Sequence, residues 1–324
     1  MRRTILFVLK IAISAALLYW AFRSVDLTAL GGHFHGFDPA WVLLAVAALG
    51  VQIVLAGLRW SRVAGAAGLA LSNPRAIRIS AIAAFFNQAL PATIGGDAMR
   101  VWLLGRADKR WKDSIFSVIV DRVAGVAFLA LIVAACLPWS LERIAAPEGR
   151  VAVIVIGLAG VAALPAILIG GSGGIARLFG GWRLLHVPLE IAAAARKALF
   201  GRRQAAAIAV LSIGIHILTV AAAWLLARAI SVTPDLLNFL ILIPPVMLIA
   251  MIPVSIGGWG IREKAMLVAF QYTGMASSDA LFVSVLMGGA GLVVGAVGGA
   301  LWLAERRPSR GIAAEIAADT KPHA

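Results

Sequence analysis

The chain has 324 residues, of which 61% are hydrophobic and 14% are charged, and its mean hydropathy is +0.95. Soluble domains carry more charge and less apolar surface, so this composition excludes a water-soluble protein and predicts an all-α polytopic membrane protein without a separate soluble domain. The net charge of +14 then bears on membrane orientation and not on nucleic acid. The single cysteine, Cys136, excludes structural disulfides and thiolate metal clusters.

Six apolar runs are long enough to cross a bilayer, which takes about 20 residues. We predict full spans at 4–22, 40–58, 114–137, 151–170, 204–227 and 279–303. The first run ends without a small-residue cleavage site, so we interpret it as a retained span and not as a signal peptide. Residues 171–203 mix glycines with basic residues and are predicted to lie at the cytoplasmic interface without a fold of their own. Residues 304–324 are predicted to form a cytoplasmic tail.

Two further apolar segments, 76–104 and 236–273, are interrupted near the middle by proline and glycine. Hydrocarbon tolerates such an interruption only where protein or a water-filled cavity surrounds it. Basic residues flank both ends of the first segment, and a full crossing would place one of these groups outside. We therefore predict a re-entrant helical hairpin that enters from the cytoplasmic side. By the same argument the second hairpin enters from the outside.

The two interruptions carry the same ten-residue motif. Residues 91–100 read PATIGGDAMR, and 162 positions later residues 253–262 read PVSIGGWGIR. Each half of the chain reads span, span, hairpin, span, but the halves start on opposite sides of the membrane. We therefore predict an inverted-topology repeat of residues 1–137 and 151–303. Transporters often have this architecture, with the substrate site between the two halves.

The distribution of the 29 lysines and arginines supports this layout. It leaves most of them on the cytoplasmic side, including Arg59 directly after the second span, as the positive-inside rule requires. Four lie outside, namely Arg23, Arg143, Arg150 and Arg228, and four lie at membrane depth, namely Arg100, Arg122, Arg262 and Lys264. We therefore predict a multi-pass protein of the bacterial inner membrane with both termini in the cytoplasm.

The motif predicts an anion site at each interruption. A short helix is expected directly after each Gly-Gly pair, so its free N–H groups and positive dipole end face the interruption. Arg100 and Arg262 follow one turn later, and a guanidinium suits a phosphate. The other candidate substrate-binding residues are Gly95, Gly96, Gly257, Gly258, Asn87, Thr93 and Ser255. The alternative is that each arginine pairs only with a neighbouring carboxylate.

Four further charged residues at membrane depth are candidates for ion coupling or ion pairing: Asp97, Asp121, Arg122 and Glu263. Intramembrane acids are typical of proton relays. For Asp97 and Glu263, capping of a helix N-terminus is an equally good interpretation. Asp121 and Arg122 are adjacent and point to different sides of a helix, so each needs its own partner.

The remaining polar residues at membrane depth are Gln52, Gln88 and His216, which either line the same cavity or bond between helices. We predict no metal site and no cofactor, since the His33 and His35 pair has no third ligand nearby. The small residues Gly291, Gly295 and Gly299 predict close helix packing on the last span. Five tryptophans at span ends are predicted interface anchors: Trp20, Trp41, Trp60, Trp139 and Trp302.

Several of these motifs together resemble the lysylphosphatidylglycerol synthase transmembrane region family. They are Asn87 to Pro91, Gly95-Gly96-Asp97 with Arg100, the Asp121-Arg122 pair, and Pro253 with Gly257-Gly258 and Arg262-Glu263. The resemblance implies a flippase-like module that moves lipids between leaflets. In bifunctional members this module precedes a soluble aminoacyl-transferase domain, and because this chain ends at Ala324 without one, we expect no aminoacyl transfer.

These observations lead to the expectation of a flippase that moves a lipid with a phosphate-bearing headgroup by alternating access, with lipid-synthesis enzymes as candidate partners. Two alternatives remain open. One is a membrane-embedded enzyme that acts on a lipid phosphate, although the hairpins contain no Cys or His nucleophile and no carboxylate cluster for a metal. The other is a non-transporting subunit of a lipid-synthesis complex.

Overall fold

The computed structural model describes residues 36–66, 68–89, 95–144, 146–170, 172, 183–201, 204–233, 235–252 and 258–306. The predicted span 4–22 and residues 307–324 of the predicted tail lie outside the described residues. So do three candidate site residues, Thr93, Ser255 and Gly257.

Within the described residues all regular secondary structure is helical. The helices are α1 (Pro39–Ala66), α2 (Asn73–Ala89), α3 (Gly95–Asp108), α4 (Trp111–Ala135), α5 (Leu137–Arg143), α6 (Pro147–Gly170), α7 (Arg183–Phe200), α8 (Ala205–Ala229), α9 (Leu236–Ala250), α10 (Ile261–Gln271) and α11 (Ser277–Arg306). Among them, Pro39–Ala66, Trp111–Ala135, Ala205–Ala229 and Ser277–Ala304 are long and apolar enough to cross a membrane. These four coincide with predicted spans, and α6 covers the predicted span 151–170.

Helices α2 and α3 pack antiparallel and form a helical hairpin. Near the interruption the Gly96 amide donates to Asn87 Oδ1 at 2.9 Å. At the other end Arg75 Nη2 donates to Asp108 Oδ1 at 3.0 Å. Glycine at position 96 permits this approach, because a Cβ there would collide with the Ala83 carbonyl oxygen and the Asn87 side chain.

Helices α9 and α10 form a second antiparallel hairpin. The Phe239 and Phe270 rings meet at 4.8 Å between centroids, while Gly258 lies against the Ala250 carbonyl near the interruption, with a Cβ position 3.8 Å from that oxygen. Helix α3 starts at Gly95 and so includes both glycines, whereas α10 starts only at Ile261. The prediction of a helix that begins directly after each Gly-Gly pair was therefore wrong by two residues in each copy, in opposite directions.

The late start of α10 has a local cause. Gly258 and Gly260 have φ values of +80° and +88°, which glycine adopts without steric cost. These left-handed residues extend the turn. Glu263 then closes it, because its carboxylate accepts the Gly260 amide at 2.6 Å. Arg262 is consequently the second residue of its helix, whereas Arg100 is one turn further into α3.

Helices α1 and α8, which the repeat treats as equivalents, pack antiparallel against each other. Gln52 Nε2 donates to Thr219 Oγ1 at 3.1 Å, and about two turns further along α1, Arg59 Nη1 donates to Ser212 Oγ at 3.4 Å. The antiparallel pairing is what a two-fold relation between inverted halves requires. The order of α1 to α4 also recurs in α8 to α11.

The structure contains two helices, α5 and α7, that were not predicted. Residues 137–143 form α5, and Arg143 at its end pairs with Asp235 and donates to Asn238 Oδ1 at 2.9 Å. Part of the segment 171–203, which was predicted to be interfacial without a fold of its own, forms α7, whose Ala195 and Ala198 pack against α1 and α4. These small side chains allow close packing. The prediction for this segment used only its charge and glycine content, which do not indicate such packing.

The glycines of α11 pack closely, as predicted. Gly295 faces Ala84 and Phe85 of α2, with a Cβ position 3.5 Å from the Ala84 carbonyl oxygen and from the Phe85 Cα. Gly291 faces the Gln88 side chain, and Gly299 faces the Phe85 ring. Helix α11 therefore packs closely against α2 of the first hairpin.

Candidate functional site

A cavity of about 390 Å³ lies between the two hairpins and is walled by α1, α4 and α8. It is lined by polar and charged side chains of every one of these elements: Gln52, Arg59, Ser80, Asn87, Asp97, Arg100, Asp121, Arg122, His216, Thr219 and Arg262. Arg100 comes from the first hairpin and Arg262 from the second. We call this space the polar cavity.

Asp121 of α4 is the central acid of the polar cavity. Its side chain is 2% exposed, and it accepts hydrogen bonds from Arg59 Nε at 2.9 Å and from Arg100 Nη2 at 2.8 Å. A carboxylate without partners would be costly at this depth. Two guanidinium groups offset that cost, and Asp121 in turn fixes both arginines.

Arg100 has partners on three sides. Besides Asp121, its Nη1 lies 3.5 Å from Asp97 Oδ1, and its guanidinium stacks over the Trp60 ring at 4.2 Å. Trp60 is fully buried and its indole donates to Ser117 Oγ at 3.2 Å. Among the described residues, Arg100 Nε has no hydrogen-bond partner. The predicted role of Trp60 as an interface anchor is therefore wrong, since this ring supports a cavity arginine.

Asp97 and Arg122 form a second ion pair across α3 and α4. Arg122 Nε donates to Asp97 Oδ2 at 2.9 Å. The Arg122 side chain is 37% exposed, much more than its neighbour Asp121. The prediction that these adjacent residues take separate partners is confirmed.

Arg262 belongs to a compact cluster on the opposite wall. Its Nη2 donates to Glu263 Oε1 at 2.6 Å, its Nε donates to Ser284 Oγ at 3.1 Å, and its guanidinium lies 5.1 Å from the Trp259 ring centroid. Glu263 is fully buried and also caps α10. Glu263 thus caps α10, which the sequence offered as the alternative to ion coupling, and it also pairs with Arg262.

The charges of the cavity do not balance. Arg59, Arg100, Arg122 and Arg262 line it. Against these four guanidinium groups stand three carboxylates, those of Asp97, Asp121 and Glu263. Among the residues that the structure describes, one positive charge is therefore left over, with histidine counted as neutral. His216 Nε2 lies 3.0 Å from the Gly125 carbonyl oxygen. The cavity therefore favours an anion.

Some of the other candidate site residues line the polar cavity and some do not. Asn87 and Gly258 line the polar cavity, whereas Gly96 is engaged by Asn87 and Gly95 is the first residue of α3. Gln88 faces Gly291 of α11. In the described part of the chain no cluster of His, Cys, Asp and Glu side chains could hold a metal ion.

Arg59 is the functional candidate that sequence reasoning missed. It was assigned to the cytoplasmic loop after a span ending at residue 58, but α1 continues to Ala66 and Arg59 is buried. A hydropathy boundary cannot distinguish a loop arginine from one that pairs inside the protein. The available signal was Asp121, an acid in an apolar helix that needed a cationic partner.

The helices and the polar cavity define a multi-pass membrane protein with a net positive site inside its helical bundle. Residues 7–299 match the family described as the Lysylphosphatidylglycerol synthase TM region, and the chain belongs to this family. This membership connects the protein with lipid handling in the membrane. No curated protein matches the chain.

Proposed function

We propose that the protein is a lipid flippase that binds the phosphate of a lipid headgroup in the polar cavity and moves the lipid between leaflets. The observation that carries this proposal is that Arg100 and Arg262, one from each hairpin, line one cavity whose described residues carry surplus positive charge. Family membership points to lipids as the substrate class. A lipid phosphate supplies the anion that the cavity favours.

The existing contacts indicate which groups would hold the phosphate. The Gly96 amide is occupied by Asn87, so the helix N-terminus contributes less than the sequence suggested. The Arg100 side chain is 11% exposed and its Nη1 lies 3.5 Å from Asp97 Oδ1, a long contact, and Arg262 lines the same cavity. The headgroup would then lie between guanidinium groups already oriented by Asp121 and Glu263, with little ordering needed on binding.

The transport cycle follows from the two hairpins. In the proposed layout they are re-entrant and belong to an inverted repeat, with both termini in the cytoplasm of a bacterium. Arg100 would bind headgroups that arrive from one leaflet, and Arg262 would bind headgroups that arrive from the other. Movement of one half against the other would expose the site alternately to the two sides, as in other inverted-repeat transporters.

Purified protein in liposomes tests the proposal. A phospholipid with a fluorescent headgroup label in both leaflets is bleached from outside by a membrane-impermeant reductant. Protein-dependent bleaching of the inner-leaflet pool, with the lipid unchanged by mass spectrometry, is the expected result. Bleaching limited to the outer leaflet would contradict the flippase, and conversion of the lipid to a new species would support an enzyme instead.

A further inference from the structure

A second cavity, of about 540 Å³, lies between α3 and α4. Apart from Asp97 and Arg122, its lining residues are apolar, among them Ala98, Trp102 and Ile115. Trp102, Trp111 and Ile115 are exposed at the protein surface. In a membrane-spanning protein such a surface faces hydrocarbon. We call this space the α3/α4 groove.

The α3/α4 groove and the polar cavity share a wall. Asp97 and Arg122, the charged residues of the groove lining, also line the polar cavity. Their ion pair therefore separates a charged space from an apolar one. A further apolar cavity, between α6 and the second hairpin, shares no lining residue with the polar cavity.

We infer that the α3/α4 groove binds one acyl chain of the phospholipid whose phosphate enters the polar cavity, and that the Asp97–Arg122 pair is the gate between the two. This inference rests on the proposed function. A phospholipid is an amphiphile, so its site needs an anion-binding part continuous with an apolar part. The groove meets that requirement, and its volume falls within the range of about 300–1,000 Å³ typical of ligand sites.

The difference between the two ion pairs supports the gate. Asp121 is 2% exposed and held by two arginines, so opening that contact would leave a buried charge without a partner. The Asp97–Arg122 pair is more accessible, with side chains that are 18% and 37% exposed, so its separation leaves less buried charge without a partner than opening the Asp121 contacts would. The headgroup can therefore pass the Asp97–Arg122 pair while the Asp121 cluster stays in place.

Photo-crosslinking tests which molecule occupies the groove. The substitution Ile115→benzoylphenylalanine places a photoreactive group in the groove, and Phe116→benzoylphenylalanine places one at the same depth of α4 outside the groove lining. Each variant is reconstituted in vesicles of equal parts phosphatidylglycerol and monogalactosyl diacylglycerol with matched acyl chains. Adducts are identified by mass spectrometry.

From position 115 we expect phosphatidylglycerol adducts to exceed galactolipid adducts by about tenfold, the ratio that follows from one arginine–phosphate contact that the galactolipid lacks. From position 116 the ratio should stay close to the bulk composition. Equal ratios at both positions would overturn the inference. So would a crosslink from position 115 to a peptide of residues 4–22, because the predicted first span would then fill the groove.

A matched pair of substitutions tests the groove without altering the polar cavity charges. Ala98→Trp fills the groove from an exposed position of α3 and should abolish the enrichment at position 115. Ala107→Trp, exposed on the same helix outside the groove lining, should preserve it. Enrichment that survives Ala98→Trp would count against an acyl chain in the groove.

The outcomes separate this inference from the proposed function. Enrichment at position 115 in a protein that moves no lipid would support the binding site and contradict the flippase. Transport without enrichment would support the flippase and contradict the groove.

Discussion

Arg100 and Arg262 stand 162 positions apart in the chain and line the same cavity. Each is held by an acid, Asp121 for Arg100 and Glu263 for Arg262, and each stacks on a tryptophan, at 4.2 Å from the Trp60 centroid and 5.1 Å from the Trp259 centroid. The arginines of the two motif copies thus have similar partners, although the helices that carry them begin differently. This likeness motivates matched substitutions in both halves.

Arg100→Lys and Arg262→Lys should each lower lipid transport. Lysine keeps the charge but loses the planar fork that holds a phosphate with two hydrogen bonds. A charge-assisted hydrogen bond contributes about 1.5–3 kcal/mol, so we expect a fall of roughly tenfold or more. Transport per folded molecule and melting temperature are measured on the same preparations. Normal transport in both variants would end the headgroup-binding role.

Asp121→Ala should strongly destabilise the protein. It leaves Arg59 buried without its main partner and removes one partner of Arg100. Removing one member of a buried ion pair costs about 3–5 kcal/mol. Asp113→Ala serves as the control, since its pair with Arg110 is exposed and such pairs contribute about 0–1 kcal/mol. Equal unfolding midpoints for the two variants in detergent would contradict the assigned role of Asp121.

Gly96→Ala should loosen the first hairpin. An added Cβ would collide with the Ala83 carbonyl and the Asn87 side chain, and overpacking of this kind costs about 1–3 kcal/mol. Gly289→Ala in α11 is the matched control, because its Cβ would meet no atom within 4 Å. Alanine also favours a helix over glycine by up to about 1 kcal/mol, so this control should be neutral or stabilising. Thermal unfolding is measured for both variants. Equal melting temperatures would show that the contact at Gly96 accommodates an added Cβ.

The membrane layout is tested by single cysteines in a Cys136→Ala background. Ser24→Cys and Ser277→Cys should react with a membrane-impermeant maleimide from outside, and Ser309→Cys only from inside. The expectation follows from the charge distribution and from the predicted inverted order of the two halves. Labelling of Ser309→Cys from outside would contradict the proposed layout.

Much of the helical framework could be predicted from the sequence because its signals are local. Apolar runs predicted the spans that appear as α1, α4, α8 and α11, and the paired motif located both hairpins. The predicted end of α1 was too early because a hydropathy measure assigns an arginine such as Arg59 to a loop. The start of α10 was misplaced because the sequence does not distinguish a helical glycine from a left-handed one.

The sequence by itself determined that this is a membrane protein of the lysylphosphatidylglycerol synthase transmembrane region family, with a paired motif that carries Arg100 and Arg262. Only the tertiary structure decided which groups those arginines meet. Arg59 and Asp121 are 62 positions apart and contact each other through the packing of α1 against α4. The partner of a buried charge depends on how whole helices pack, and no local pattern of residues encodes that choice.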